Sequence, residues 1–212
     1  MRRAVLLVVW MPLLAVGQEP KNVMPAVPAD RRADTYAIYS AVLAHPSLSH
    51  PDNNEKYIVD ELSGFARENE PQSCITVPEA YRASFAELLA DRNDHHLERF
   101  RLERAFNIPK TYDLVTADQA KDFGRVRIAT VPPASEAELF KGAVDRITLG
   151  NAYFDKKRTL AAVYTWALCG GLCGFGTWRV FVRTGKGEWE EQHWTNCVTI
   201  AASRFASSAC KA

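Results

Sequence analysis

The carboxy-terminal part of the chain alternates hydrophobic and polar residues with a period of two, which is the pattern of β-strands. The alternation begins after Gly142 and predicts four strands in succession, over residues 144–154, 159–169, 176–184 and 188–200. Turn-forming residues separate these strands, namely a charged run at 155–158, a glycine-rich stretch at 170–174, and Gly185 with Gly187. Because each connection is short, we expect neighbouring strands to pair antiparallel and to form a meander.

Earlier in the chain, hydrophobic residues recur at the spacing of an amphipathic helix. They predict a short helix over residues 34–44 and a longer one over residues 78–91, where Tyr81 and Phe85 share one face. Residues 56–62 are a weaker strand candidate. The first two thirds of the chain are therefore expected to be helical and rich in loops.

Capping boxes mark three helix starts, since two side chains three positions apart can satisfy each other's backbone N–H groups. The three pairs are Thr76 with Glu79, Thr116 with Gln119, and Ser135 with Glu138. Each pair predicts that a helix begins at its position.

Together these elements predict an α+β fold in which a helical, loop-rich amino-terminal part packs on a four-stranded antiparallel meander. The predicted domain spans residues 34–202, and residues 203–212 form a polar tail. Three prolines lie among polar residues at 18–33, which predicts an extended linker. The strand over 159–169 is apolar on both faces, so we expect it to be central in the sheet.

The first 17 residues have the three parts of a secretory signal peptide. Arg2 and Arg3 are cationic, an apolar run follows, and the small residues Ala15 and Gly17 are spaced as a signal peptidase requires. The apolar run is shorter than the roughly 20 residues that a transmembrane helix needs. We therefore expect an exported protein, periplasmic or extracellular, that has no transmembrane segment after the signal is removed.

Composition supports a globular protein that does not bind nucleic acid. Hydrophobic residues make up 47% and charged residues 24% of the chain, which is enough to build a core and excludes a disordered chain. Removal of Arg2 and Arg3 with the signal takes the formal net charge from +1 to −1. No basic field remains that would attract nucleic acid.

All five cysteines lie after the signal, at Cys74, Cys169, Cys173, Cys197 and Cys210. Export to an oxidising compartment makes disulfide bonds the expectation, although the sequence leaves their connectivity open. Gly170 and Gly171 let the chain fold back on itself, which favours a small loop closed by Cys169 and Cys173. Cys74, Cys197 and Cys210 remain as further candidates, and a bridge from Cys74 would join the two halves of the chain.

The run from Cys169 to Gly176 reads C-G-G-L-C-G-F-G, and a Gly187-Glu188-Trp189 hairpin follows it. In these motifs the chain resembles a group of uncharacterised secreted bacterial proteins, which share a C-G-x-L-C-G-x-G turn in a carboxy-terminal β-meander. The resemblance covers roughly residues 140–200. It implies an exported bacterial protein with a strand-rich end, and it implies no activity.

All four tryptophans that follow the signal lie in the predicted meander, at Trp166, Trp178, Trp189 and Trp194. Cross-strand packing inside the core would account for this clustering. Alternatively, Trp178, Trp189 and Trp194 form an exposed aromatic face for sugar rings or peptide segments.

The sequence favours a non-enzymatic binding or structural module of the cell envelope, whose partner is an unknown envelope component such as a glycan or peptide. One alternative is an exported hydrolase that uses His193 and Glu191, which a strand would place on one face. Another is a thiol-disulfide protein that works through Cys169 and Cys173. No cofactor is expected.

A polar stretch at residues 94–98 contains four potential metal ligands, Asp94, His95, His96 and Glu98. Metal sites draw their ligands from segments that converge in space, and no second cluster accompanies this one. We therefore interpret the stretch as a polar helix terminus and predict no metal site.

Overall fold

The computed structural model describes residues 24–44, 56–64, 68, 70–128, 139–143, 145–168 and 173–202. The helices are α1 (Ala29–Ala44), α2 (Pro71–Cys74), α3 (Arg82–His95), which a 3-10 turn at Glu79–Tyr81 precedes, and α4 (Ala117–Ile128). The strands are β1 (Lys56–Asp60), β2 (Thr111–Val115), β3 (Arg146–Phe154), β4 (Leu160–Leu168), β5 (Cys173–Arg183), β6 (Trp189–Gln192) and β7 (Val198–Ala202). None of the described helices is long and apolar enough to cross a membrane.

The strands form one mixed sheet of seven, in the order β2-β1-β3-β4-β5-β6, with β7 also paired to β5. Strand β1 pairs in parallel with both β2 and β3, and the other pairings are antiparallel. The prediction of a four-stranded antiparallel meander is therefore wrong. The protein is α+β, but its sheet is larger and mixed.

Two features account for the difference. Parallel strands need long crossover connections. Here the connections are the helical segments α2–α3 and α4, which the sequence pattern predicted only as helices packed on the sheet. The predicted fourth strand, 188–200, is two strands, because the chain between β6 and β7 pairs with another segment. The Thr76 N–H donates to the Trp194 carbonyl and the Asn196 N–H to the Cys74 carbonyl.

The sheet buries a hydrophobic core on each face. Alternate residues of β4 point to opposite faces, so Ala161 and Val163 pack under α1 while Ala162 and Tyr164 pack under α2 and α3. The predicted strand over residues 159–169 was expected to be central. It corresponds to β4, which lies inside the sheet with both faces covered. A smaller hydrophobic cluster packs α4 on the sheet and includes Phe123 of α4 and Ile58 of β1.

The helix starts follow the predicted signals only in part. Helix α1 begins at Ala29, inside the predicted linker, because Arg31 in its first turn is held by tertiary contacts. The Thr116–Gln119 capping box is confirmed, with each backbone N–H bound by the other side chain. The prediction of a Thr76–Glu79 capping box is wrong, since the Thr76 hydroxyl accepts a hydrogen bond from the Asn196 side chain instead. The third pair lies outside the described residues.

Candidate functional site

A cleft of about 430 Å³ opens between the start of α1, the second half of α3 and the β3–β4 turn. We call it the α1–α3 cleft. A volume of this size falls in the range of small-ligand sites. Its lining residues come from three segments far apart in sequence: Pro28, Asp30, Arg31, Glu87, Ala90, Asp91, Asp94, His95, Glu98, Phe154, Asp155, Lys156 and Arg158.

The floor of the cleft is an ion pair between α1 and α3. Arg31 donates from Nη1 and Nη2 to the two carboxylate oxygens of Asp91, at 2.9 and 2.7 Å. The same Nη2 reaches the Ala152 carbonyl at 2.8 Å, and the Phe154 N–H donates to Asp91 at 2.9 Å. The guanidinium carbon of Arg31 also lies 5.5 Å from the Phe154 ring centroid. These contacts fix both helices against β3.

The far wall of the cleft is the β3–β4 turn, which Asp155 organises. The Asp155 carboxylate accepts from the backbone N–H groups of Thr159 and Leu160, at 2.6 and 2.9 Å, and from the Thr159 hydroxyl at 2.7 Å. Arg158 has a positive φ of 53°, a conformation that such a turn requires. Glu87 of α3 accepts from the Lys156 N–H at 3.1 Å and ties the turn to the helix.

His95 lies at the end of α3, on the rim of the cleft, between two carboxylates. Its Nδ1 is 3.0 Å from a Glu98 oxygen, its Nε2 is 3.6 Å from an Asp91 oxygen, and 35% of its side chain is exposed. Asn151 of β3 donates from Nδ2 to the carbonyls of His95 and Glu98, at 3.2 and 2.8 Å. The sheet therefore holds the polar end of the helix in place.

The charges in the cleft do not balance. Six carboxylates line it, against the cationic side chains of Arg31, Lys156 and Arg158. Three of the carboxylates, Asp91, Asp155 and Glu87, already bind backbone N–H groups of the protein. Asp94 and Glu98 lie on the exposed rim, where they can accept hydrogen bonds from a ligand.

The three tryptophans of the predicted aromatic face do not share a face. Trp178 is 1% exposed and packs in the core under α3, 5.5 Å from the Tyr164 ring, so its inclusion in an exposed face is wrong. Trp194 packs on the same core through Tyr81. Trp189 packs on the opposite core, against Phe154. Aromatic packing in the core accounts for the clustering.

The alternative of a catalytic pair of His193 and Glu191 assumed that one strand carries both residues. Strand β6 ends at Gln192, so the alternation that would align them on one face stops before His193, which is exposed. The Glu191 carboxylate pairs with Arg179, which is 4% exposed. Both carboxylate oxygens of Glu191 receive a hydrogen bond from this guanidinium group.

Cys74 and Cys197 form a disulfide bond, with their Cα atoms 5.0 Å apart. A bridge from Cys74 to the carboxy-terminal half was one of the pairings that the sequence left open. The favoured Cys169–Cys173 loop lies outside the described residues, except that Cys173 begins β5, and Cys210 also lies outside them. Among the described residues, no three His, Cys, Asp or Glu side chains are grouped to hold a metal ion.

A charged cluster that is absent from the sequence predictions also involves α3. It consists of the buried side chains of Glu68, Arg92 and Tyr153 and of the exposed Glu70, and we call it the Glu68 cluster. Burial raises the pKa of Glu68 to about 7, because the cost of desolvating its carboxylate outweighs the Arg92 charge and the Tyr153 hydrogen bond. Nothing local in the sequence marks these residues, since three separate segments contribute them.

No protein-family model, no curated protein and no solved structure matches this chain. The fold and the cleft therefore define it only as a disulfide-bonded α+β protein with an acidic cleft.

Proposed function

We propose that this protein is an exported, non-enzymatic binding module of the cell envelope, and that it takes a cationic group of a glycan or peptide in the α1–α3 cleft. The observation that carries the proposal is the excess of carboxylates in a preorganised cleft. Asp94 and Glu98 would accept hydrogen bonds from a protonated amine, and such charge-assisted bonds are about twice as strong as neutral ones.

Rigidity of the cleft supports this function. The Arg31–Asp91 ion pair and the Asp155 turn hold the walls before any ligand arrives. A preformed site loses less conformational entropy on binding than a flexible one. The ligand would therefore meet carboxylates that are already in position.

The disulfide bond supports the exported location. Disulfides persist in oxidising compartments outside the cytoplasm, and Cys74 and Cys197 lie in bonding geometry. The signal-like residues 1–17 provide an independent argument from the sequence. Cell fractionation with intact-mass analysis tests the location. We expect a chain that begins at Gln18 and carries at least one disulfide, and a full-length chain in the cytoplasm with five free thiols would contradict the proposal.

Calorimetric titration tests the binding. The probes are glucosamine oligomers and lysine oligomers, with N-acetylated glucosamine oligomers as uncharged controls. We expect the charged probes to bind, the acetylated ones to bind at least about tenfold more weakly, and the affinity to fall as salt is added, because salt screens exposed charges.

A pair of variants assigns the binding to the cleft. Asp94→Asn with Glu98→Gln removes two rim carboxylates, and Asp118→Asn with Glu79→Gln removes two exposed carboxylates that do not line it. The first variant should lose about tenfold in affinity and the second should bind like the wild type. Equal loss in both variants would exclude the cleft, and no binding of any charged probe would exclude the ligand class.

A further inference from the structure

Strand β3 contains a β-bulge, a point at which one strand of a pair has an extra residue. Leu149 pairs with Thr165 and Ala152 pairs with Val163, so three steps along β3 match two steps along β4. Leu149 and Ala152 therefore face the same hydrophobic core, although an odd number of positions separates them. Without the extra residue, regular alternation would direct Asn151 into that core with Leu149. The bulge instead turns Asn151 to the side of the sheet on which α3 packs.

The side chain of Asn151 enters a buried hydrogen-bond network, and Asn151 itself is 3% exposed. Its Nδ2 donates to the carbonyls of His95 and Glu98, at 3.2 and 2.8 Å, and its Oδ1 accepts from the Ser63 hydroxyl at 2.8 Å. The Ser63 oxygen in turn accepts from the Phe100 N–H at 3.1 Å. The amide group of Asn151 is fully satisfied in this way, and it holds the turn that follows α3.

Neighbouring contacts fix the bulge and the turn from both sides. Tyr39 of α1 donates from its hydroxyl to the Gly150 carbonyl at 2.8 Å and so holds the bulge. The Gly64 N–H donates to the Leu149 carbonyl at 3.0 Å. A Cβ on Gly64 would lie 2.9 Å from the Glu98 carbonyl oxygen, so the turn after α3 approaches this backbone as closely as it can.

We propose that Asn151 is a positioning residue of the α1–α3 cleft, which sets the place of the Glu98 carboxylate and the His95 ring on its rim. This inference rests on the proposed binding function. Asn151 does not line the cleft, so it acts through the two residues whose carbonyls it binds. Nδ1 of His95 lies 3.0 Å from a Glu98 oxygen, and its Nε2 lies 3.6 Å from an Asp91 oxygen on the floor of the cleft.

The contribution of Asn151 to binding is preorganisation. A carboxylate on an unrestrained turn loses conformational freedom when it binds an ammonium group, and this loss lowers the affinity. Because Asn151 fixes the backbone at both His95 and Glu98, much of this freedom is lost before a ligand arrives. The turn also stands at the carboxy-terminal end of α3, where the helix dipole favours a cation.

A double-mutant cycle tests whether Asn151 acts through Glu98. The four proteins are the wild type, Asn151→Ala, Glu98→Gln and the double variant, and calorimetric titration measures their affinity for lysine oligomers. Each single variant should lose about threefold in affinity, because one rim carboxylate is either misplaced or removed. In the Glu98→Gln background, Asn151→Ala should cost less than about 1.5-fold. Equal losses in the two backgrounds would overturn the proposal.

Gly176→Ala is the control for a loss of stability alone. It crowds the core at Tyr164 and Trp166, and Gly176 does not line the cleft. This variant should unfold at a lower temperature than the wild type and bind lysine oligomers equally well. A purely structural role of Asn151 predicts the same behaviour for Asn151→Ala, so unchanged affinity in that variant would also overturn the proposal.

Hydrogen exchange of the ligand-free protein tests the positioning without any probe. The Glu98 N–H, which donates to the His95 carbonyl at 3.1 Å, and the Phe100 N–H report on the turn. Their exchange should be at least about fivefold faster in Asn151→Ala, and unchanged exchange would overturn the proposal. If the wild type binds no charged probe, the proposed function fails, and this measurement alone decides whether Asn151 positions the rim.

Ser63→Ala is the second variant if Asn151→Ala fails to fold. It removes the hydroxyl that donates to Asn151 and accepts from the Phe100 N–H, and it leaves both donors of Asn151 in place. It should lose about twofold in affinity for lysine oligomers, and this loss should disappear in the Glu98→Gln background. A loss that persists there, or unchanged exchange of the Glu98 and Phe100 N–H groups, would overturn the proposal.

Discussion

Arg179 of β5 and Glu191 of β6 form an ion pair that also reaches α1. The Nε of Arg179 donates to Glu191 at 2.6 Å, and its Nη1 donates to the Val42 carbonyl at 2.7 Å. This single buried guanidinium group therefore links two paired strands to the helix that covers them.

Arg179→Ala should destabilise the protein by about 3–5 kcal/mol, because it removes a buried guanidinium group that bonds both Glu191 and the Val42 carbonyl. Urea unfolding measures this change. Arg183→Ala is the matched control on the same strand, since Arg183 pairs with Asp34 at a half-exposed position and should cost about 1 kcal/mol or less. Similar losses in the two variants would contradict the assigned role of Arg179.

Removal of the Cys74–Cys197 bridge should also lower stability. The bridge joins residues separated by 123 positions, so Cys74→Ala with Cys197→Ala should cost about 4–5 kcal/mol, because the unfolded chain gains conformational freedom. Urea midpoints with and without reductant check the effect. Reductant should lower the wild-type midpoint more than that of the variant, and equal midpoints of the two proteins without reductant would contradict the prediction.

Gly176, the last glycine of the C-G-x-L-C-G-x-G motif, has no room for a side chain. A Cβ there would lie 2.8 Å from Cζ of Tyr164 and would also collide with the Trp166 ring. Gly176→Ala should therefore cost about 1–3 kcal/mol through overpacking of β4 against β5. Gly185→Ala should be nearly neutral, since nothing lies within 4 Å of its Cβ. Thermal unfolding compares the pair, and a neutral Gly176→Ala would refute the packing argument.

Glu68 should make stability depend on pH near neutrality. Its pKa is raised in the folded protein from 4.5 to about 7, so its contribution to stability is fully present below pH 4.5 and is lost as pH rises through 7. The loss should reach about 3 kcal/mol above that range. Urea unfolding from about pH 5 to about pH 8 measures it. Glu68→Gln should lose this pH dependence, and a slope unchanged from wild type would contradict the assignment.

The sequence was most informative for elements that are determined by residues close together in the chain. The strands β3, β4 and β5 lie close to their predicted positions because period-two patterns and short turns are local signals. The Thr116–Gln119 cap formed for the same reason. The Thr76–Glu79 capping box is absent, because Thr76 forms hydrogen bonds with Trp194 and Asn196 in the segment before β7.

Two kinds of feature could not be predicted from local patterns. Strand β2 is short and carries Asp113, which Lys56 and Arg104 bind, so its sequence lacks the usual alternation of a strand. The α1–α3 cleft depends on the meeting of Arg31 and Asp91, residues from separate helices. His95 was recognised as part of a polar helix end, but its place on the rim of the cleft was not.

The amino-acid sequence by itself determined the helix and hairpin elements, because hydrophobic period and turn chemistry act over a few residues. Only the tertiary structure decided the parallel pairing of β1 with β2 and β3, the partner of Cys74, and the burial of Glu68. Each of these depends on which distant segments share the limited space on a sheet face. That choice is made by packing of the whole chain and leaves no local pattern.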